Sequence, residues 1–253
     1  MGFVVDIQPT AQLGRTAMRW REGQGEAEPW IGMTCAACHS SAIEFAGKRM
    51  LVEGAPTGAD FQMFFRAFDA ALRETGTTPD KFARFAAKVL GAQDGEVARA
   101  RLGRALEGLI EWQGRVERQN ETKLRYGPGR LDAVGHILNK VALSVGGAQT
   151  AFPANAPVRY PALWNAPQHD KVQWNGVAAN SGSPVSIAGE PTDFGALGRN
   201  VGEVVGVFAD ITPDSFAWNG FRSSVRLREL IEIERLVGGL KSPAWPEALF
   251  GRL

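Results

Sequence analysis

The sequence predicts a mainly α-helical fold. Apolar residues recur at helical spacing from about 60 to 144 and again near the C-terminal end. Caps and stops punctuate those stretches at plausible helix lengths. No run shows a convincing strand alternation.

Residues 1 to 34 read as irregular, with glycine, proline and charge scattered and no sustained period. Residues 45 to 58 read as loop, with Gly47, Gly54, Pro56 and Gly58. The first helix follows, because Phe61, Phe64, Phe65, Phe68 and Leu72 share one face, with Asp60 as cap and Gly76 as stop. Thr78-Pro79-Asp80 opens the second, which carries Phe82, Phe85, Ala86 and Val89 and stops at Gly91. A third, near 94 to 126, carries Leu102, Leu106, Leu109 and Ile110 and ends at Gly127-Pro128-Gly129. A shorter helix uses Leu131, Val134, Ile137, Leu138 and Val141. Residues 146 to 196 are rich in Gly, Pro, Asn and Ser and read as long irregular loops. Helix signals return at 197 to 208 and 224 to 237, the latter with Leu227, Leu230, Ile231 and Leu236.

Composition narrows the function classes. A hydrophobic share of 44% is enough to offset ordering entropy, so the chain is globular rather than disordered. A formal net charge of +1 argues against nucleic acid as a partner, since phosphate binding needs a basic excess. The two cysteines are too few for a disulfide framework. No membrane span is expected: the uncharged stretch Val141 to Val158 is interrupted by two glycines and two prolines.

The two cysteines fall in Cys35-Ala36-Ala37-Cys38-His39, the attachment signature of covalent haem c. Thiols three positions apart on a turn can each add to a vinyl group of one porphyrin. The adjacent histidine then supplies an axial nitrogen to the iron, making His39 the metal ligand. A thiol redox CxxC would expect a βαβ context that is not visible, and a zinc site would need a fourth ligand. The expected domain is therefore cytochrome c-like: one domain over 1–253, with a large helical insert at about 59–145 and a haem-pocket loop region at about 146–196. For the sixth iron position the candidates are His136, His169, Met33, Met50 and Met63, or an open site.

Further blocks carry a resemblance. Tyr160-Pro161-Ala162-Leu163-Trp164-Asn165-Ala166 precedes Trp174-Asn175-Gly176, and Gly127-Pro128-Gly129-Arg130-Leu131-Asp132-Ala133 is followed by Asn139. With Gly198-Arg199-Asn200-Val201-Gly202-Glu203, these resemble the bacterial dihaem cytochrome c peroxidase superfamily, in the branch that includes dihaem rubber oxygenases. Asn175 stands where that pattern has Asp, and one CxxCH stands where it has two.

The resemblance implies a haem c-binding oxidoreductase domain of peroxidase or oxygenase type. Trp174 would relay electrons between haems, Glu203 or His169 would be the distal acid or base, and Arg199 would face developing negative charge or a haem propionate. The partners implied are an electron-donor protein or a second haem domain, and a small oxidant, peroxide or dioxygen. It also implies a periplasmic or extracellular location, although Met1 to Asp6 has no basic export region. A second haem domain is expected to follow Leu253, with either a truncated N-terminus or a misassigned start. The alternative function is a simple single-haem electron carrier. A thiol redox protein is the third.

Overall fold

The structure, a computed structural model, describes residues 2–8, 28–144, 152–172, 176, 178–179, 184–187, 189–207, 209, 211–213, 221–223 and 225–252. Its described part is mainly helical. Seven helices are accompanied by twelve short strands, which pair only as six separate antiparallel hairpins among the described residues.

The first hairpin joins β1 (Phe3–Gln8) to β2 (Glu28–Met33). The second joins β3 (Ser40–Phe45) to β4 (Lys48–Glu53) through Ala46 and Gly47, both at positive φ (50° and 75°). That two-residue turn has the twist a hairpin needs. These strands correct the reading of 1–34 and 45–58 as irregular. The pattern is faint because little of these strands is buried: in β3 only the first two residues are even half-buried, and in β4 only Met50 and Val52 turn inward. So small a core side leaves little period of two to read.

The helices follow their caps. Asp60 Oδ1 accepts the Met63 N–H at 3.0 Å and starts α1 (Phe61–Thr77). Pro79 in the first turn starts α2 (Pro79–Leu90), and Gly91 at φ 53° ends it. The long α3 (Glu96–Gln119) stops at Asn120, short of the expected 126. Ala86 and Leu90 of α2 bury against Leu102 of α3, forming one core cluster. Phe61 is buried, but Phe64 and Phe68 of the expected apolar face stay exposed. Phe3 of β1 lies against Phe64, with ring centroids 6.4 Å apart.

A short hairpin, β5 (Arg130–Leu131) with β6 (Val158–Arg159), brackets α4 (Ala133–Ser144). Polar staples hold this region. Asp132 is buried; its Oδ1 accepts the Gly135 N–H at 2.9 Å and its Oδ2 the Ala156 N–H at 3.0 Å. Asn139 is 2% exposed, donates to Phe152 O at 2.8 Å and to Asn120 Oδ1 at 3.2 Å, and accepts the Phe152 N–H at 3.1 Å. Gln62 donates to Leu124 O at 3.0 Å and accepts the Tyr126 N–H at 2.9 Å. The two most buried polar side chains of the Gly127–Asn139 block therefore tie loops to helices.

Beyond lie β7 (Lys171–Val172), β8 (Ala178–Ala179), β9 (Pro184–Ile187) and β10 (Glu190–Asp193). Then come α5 (Phe194–Val207), β11 (Ile211–Pro213), β12 (Phe221–Ser223), α6 (Leu227–Gly239) and α7 (Glu247–Phe250). Leu197 of α5 buries with Leu230 and Ile231 of α6. α5 also packs on α4 so closely that a methyl group at Gly206 would overlap Ile137. Near the C-terminal end Trp245 stacks on Phe250 at 5.6 Å and donates its indole N–H to Gly251 O at 2.8 Å.

Two substitutions separate the staples from the caps. Asn139→Ala leaves the Phe152 N–H and C=O unpaired and is expected to cost about 3 kcal/mol. Asp60→Ala, which removes one cap bond, is expected to cost about 1 kcal/mol. Urea unfolding should show both as lower midpoints at unchanged slope, with Asn139→Ala the larger.

Candidate functional site

The cysteine motif is a single tight turn between two hairpins. Cys35–Ala37 form a 3₁₀ turn in which the Ala37 N–H reaches Thr34 O at 2.9 Å and the His39 N–H reaches Cys35 O at 2.9 Å. Gly2 packs under the turn; at φ 86°, a Cβ there would lie 2.8 Å from Ala37 Cα. The turn is strapped to the next segment by the Gly54 N–H on His39 O (2.8 Å) and the Thr57 N–H on Cys38 O (3.0 Å).

A second segment closes over it. The Leu163 N–H donates to Gly54 O at 2.9 Å, and Trp164 Nε1 donates to Glu53 O at 2.8 Å. Gly54, at φ 75°, has no room for a side chain, because a Cβ would lie 2.5 Å from Leu240 and 2.7 Å from Trp164. Asn165 takes the left-handed conformation, φ 59°, before the 3₁₀ turn Ala166–Gln168, a conformation Asn tolerates better than most residues. These straps bring Pro161 to the histidine: its carbonyl lies 2.9 Å from His39 Nδ1.

That contact fixes the chemistry of the ring. A carbonyl only accepts, so Nδ1 carries the proton and a neutral ring leaves its lone pair on Nε2. Burial is the main cause holding the His39 pKa below its ordinary value, with Arg199 adding to it and the Pro161 bond opposing. The imidazole is thus neutral at pH 7. A metal-binding histidine is typically oriented by such a bond from its second nitrogen.

The thiols are not joined to each other: Cys35 is exposed and Cys38 half-buried. Desolvation first, then the charges of Glu203 and Cys35, push the Cys38 pKa up to about 12. Cys35 is raised too, mainly by desolvation, with Glu234 and Glu203 raising it and Arg199 opposing. A redox-active CxxC needs a depressed thiol pKa, so both shifts run against thiol-exchange chemistry. Among the described residues no three His, Cys, Asp or Glu side chains gather as a metal site, so the motif does not converge as zinc ligands would. The donor set fits haem c instead: two separate, unbridged thiols and one oriented neutral imidazole.

The electrostatic neighbours come from α5 and α6. Arg199 bonds Glu234 Oε1 at 2.6 Å, with side chains only 16% and 9% exposed. Arg199, Glu203 and Glu234 all act on the Cys35 thiol. The expected pair Arg199 and Glu203 is therefore on the cysteine side of the molecule. Glu234 was not anticipated: its i, i+3 and i+4 neighbours Ile231 and Leu230 marked that helix only as core. His169 is exposed at the end of the Ala166–Gln168 turn. Trp174 lies outside the described residues.

Of the sixth-ligand candidates, His136 is engaged elsewhere. Its Nε2 is 3.4 Å from the Tyr126 hydroxyl, which donates to Ala154 O. Met33 packs with Ala37 and Cys38 against the buried cluster of Phe61, Tyr126, Leu131 and Tyr160. Met50 is half-buried in β4, and Met63 is 41% exposed on α1.

Comparisons with known proteins bear on these residues only lightly. No family model matches the chain, and no solved structure matches it. Over 257 aligned positions the chain is 32% identical to "Uncharacterized protein y4iJ" of Sinorhizobium fredii (strain NBRC 101917 / NGR234). That alignment covers 94% of this chain, which spans 40% of the relative's length. No described helix is long and apolar enough to cross a membrane.

The structural role of His136 has a pH signature. Burial holds its pKa below the ordinary value. The unfolded chain therefore binds more protons just below pH 6.5, and stability is lost as pH falls through that value. In the haem-free protein His39 contributes with the same sign. Between pH 7 and 5.5, urea midpoints should fall for wild type and fall less for His136→Gln. Gly54→Val should separately lower stability by about 3 kcal/mol or more, through overpacking and positive φ together.

Proposed function

We propose that the chain is a haem c-binding oxidoreductase domain of peroxidase or oxygenase type. In this reading Cys35 and Cys38 hold the porphyrin covalently and His39 Nε2 ligates the iron. The observation that carries it is the 2.9 Å contact of His39 Nδ1 with the Pro161 carbonyl, which leaves the lone pair of a neutral imidazole on Nε2. Bound haem would supply one-electron exchange and a coordination face for peroxide or dioxygen.

The remaining work falls to named side chains. Glu203, whose charge reaches both thiols, would accept or return a proton. Arg199, paired with Glu234, would supply a fixed cation to a propionate or a leaving oxygen. His169 is the second acid–base candidate, and Trp174 is the candidate relay to a second haem or donor protein. The cytochrome c-like architecture and a periplasmic or extracellular site, where such haems are installed, belong to the same proposal. The likeness to the dihaem peroxidase superfamily supports the oxidant chemistry.

Expression with an added export signal in a host that matures c-type cytochromes tests the reading. The purified chain should gain the mass of one haem and give a covalent haem c pyridine haemochrome; a matured product without covalent haem removes the proposal. Replacing both Cys35 and Cys38 by Ala should abolish covalent attachment. Glu203→Gln should keep haem content but lower peroxide reduction by about 10²-fold or more. Unchanged peroxide turnover together with a stable six-coordinate spectrum would instead mark a simple electron carrier.

A further inference from the structure

We propose that Tyr160 is the positioning residue that sets the orientation of the His39 imidazole plane about its axial bond, an inference that rests on the haem reading above. The Pro161 carbonyl fixes which nitrogen faces the iron, but one hydrogen bond leaves the ring able to rock around that contact. Tyr160 supplies the second constraint. Its ring meets His39 edge to face, with centroids 6.4 Å apart and planes at 73°.

Tyr160 is itself held from three sides. It is 8% exposed, and its ring makes a T-shaped contact with Phe61 at 5.9 Å and 87°. Its hydroxyl lies 3.4 Å from Arg130 O, a weak donor contact, and its own N–H reaches Gly129 O at 3.3 Å. Gly129 in turn donates to Ala59 O at 2.9 Å, next to the start of α1. The residue whose ring meets the imidazole is thus bonded directly to the residue that binds its nitrogen. A shift of this segment would move both constraints together. Such support is what holds a ligand within the few degrees a metal site requires.

Neighbouring features do not substitute for it. Met33 and Phe65 pack on the same cluster. Among the described residues, Tyr160 supplies the aromatic contact to His39.

The test reads the haem-methyl proton resonances of the ferric holoprotein, whose order and spread follow the axial imidazole plane. Tyr160→Leu, with haem still attached through Cys35 and Cys38, should reorder those resonances or split them into more than one set. Tyr160→Phe, which keeps the ring, should restore the wild-type pattern. Asn139→Ala, which destabilises the fold without touching His39, should leave the pattern unchanged and so separates positioning from general loosening. An unaltered pattern in Tyr160→Leu overturns the proposal. If Tyr160→Leu yields no holoprotein, Phe61→Leu, which removes the opposite wall of the Tyr160 ring, decides it: a changed pattern supports positioning and an unchanged one overturns it. Absence of covalent haem in the wild-type chain would instead overturn the haem reading itself, a separate outcome.

Discussion

One contact between distant parts of the chain organises the site: His39 Nδ1 on the carbonyl of Pro161, 122 positions away. A turn of five residues can present two thiols and an imidazole, but it cannot by itself choose a tautomer or aim a ring. The carbonyl chooses the tautomer because it can only accept. Burial keeps the ring neutral, since an imidazolium there would lose hydration without gaining an anion. Everything that fixes Pro161 in space therefore acts on His39.

The fixing is done mostly by backbone. Gly54 donates to the His39 carbonyl and accepts from the Leu163 N–H; Thr57 donates to the Cys38 carbonyl; Gly129 donates to Ala59 O and accepts from the Tyr160 N–H. Two of these positions work because a side chain is absent. Gly54 and Gly129 both sit at positive φ, where a Cβ would also strike neighbours at 2.5 Å and 2.9 Å. The helices α1 to α4 then serve as a frame that holds those loops, through Gln62, Asp132 and Asn139, each buried and hydrogen-bonded to loop backbone. Buried polar groups of this kind are costly unless satisfied, and satisfied ones specify a single arrangement.

The electrostatic side of the site is built by α5 and α6. A buried Arg199–Glu234 pair is weak evidence for stability, because the desolvation of two charges offsets much of their attraction. Its value lies in placement: it keeps a cation oriented beside Cys35 in a setting where water screens it little. Glu203, one turn along α5 from Arg199, adds an acid whose charge reaches both thiols. An acid and a fixed cation thus stand near two thiols whose pKa values are both raised.

The sequence by itself determined the helices with caps and stops, the position of the thiols and imidazole, and the mainly α class. These are local: a cap is read over three residues, a helix face over eight, and the attachment motif over five. It could not determine the hairpins around the motif, because β3 is exposed past its first two residues and β4 turns only Met50 and Val52 inward, too few positions to read an alternation. It named Arg199 and Glu203 only through a likeness to other proteins, and it missed Glu234, Gly54 and Tyr160. Their roles arise from chain segments that meet across 100 or more positions, as His39 and Pro161 do. Only the tertiary structure decided that Asp132 and Asn139 are staples, that His136 is bound to Tyr126, and that the prolyl carbonyl faces the imidazole. Such pairings depend on how loops close over one another, and loop closure leaves no period in the sequence.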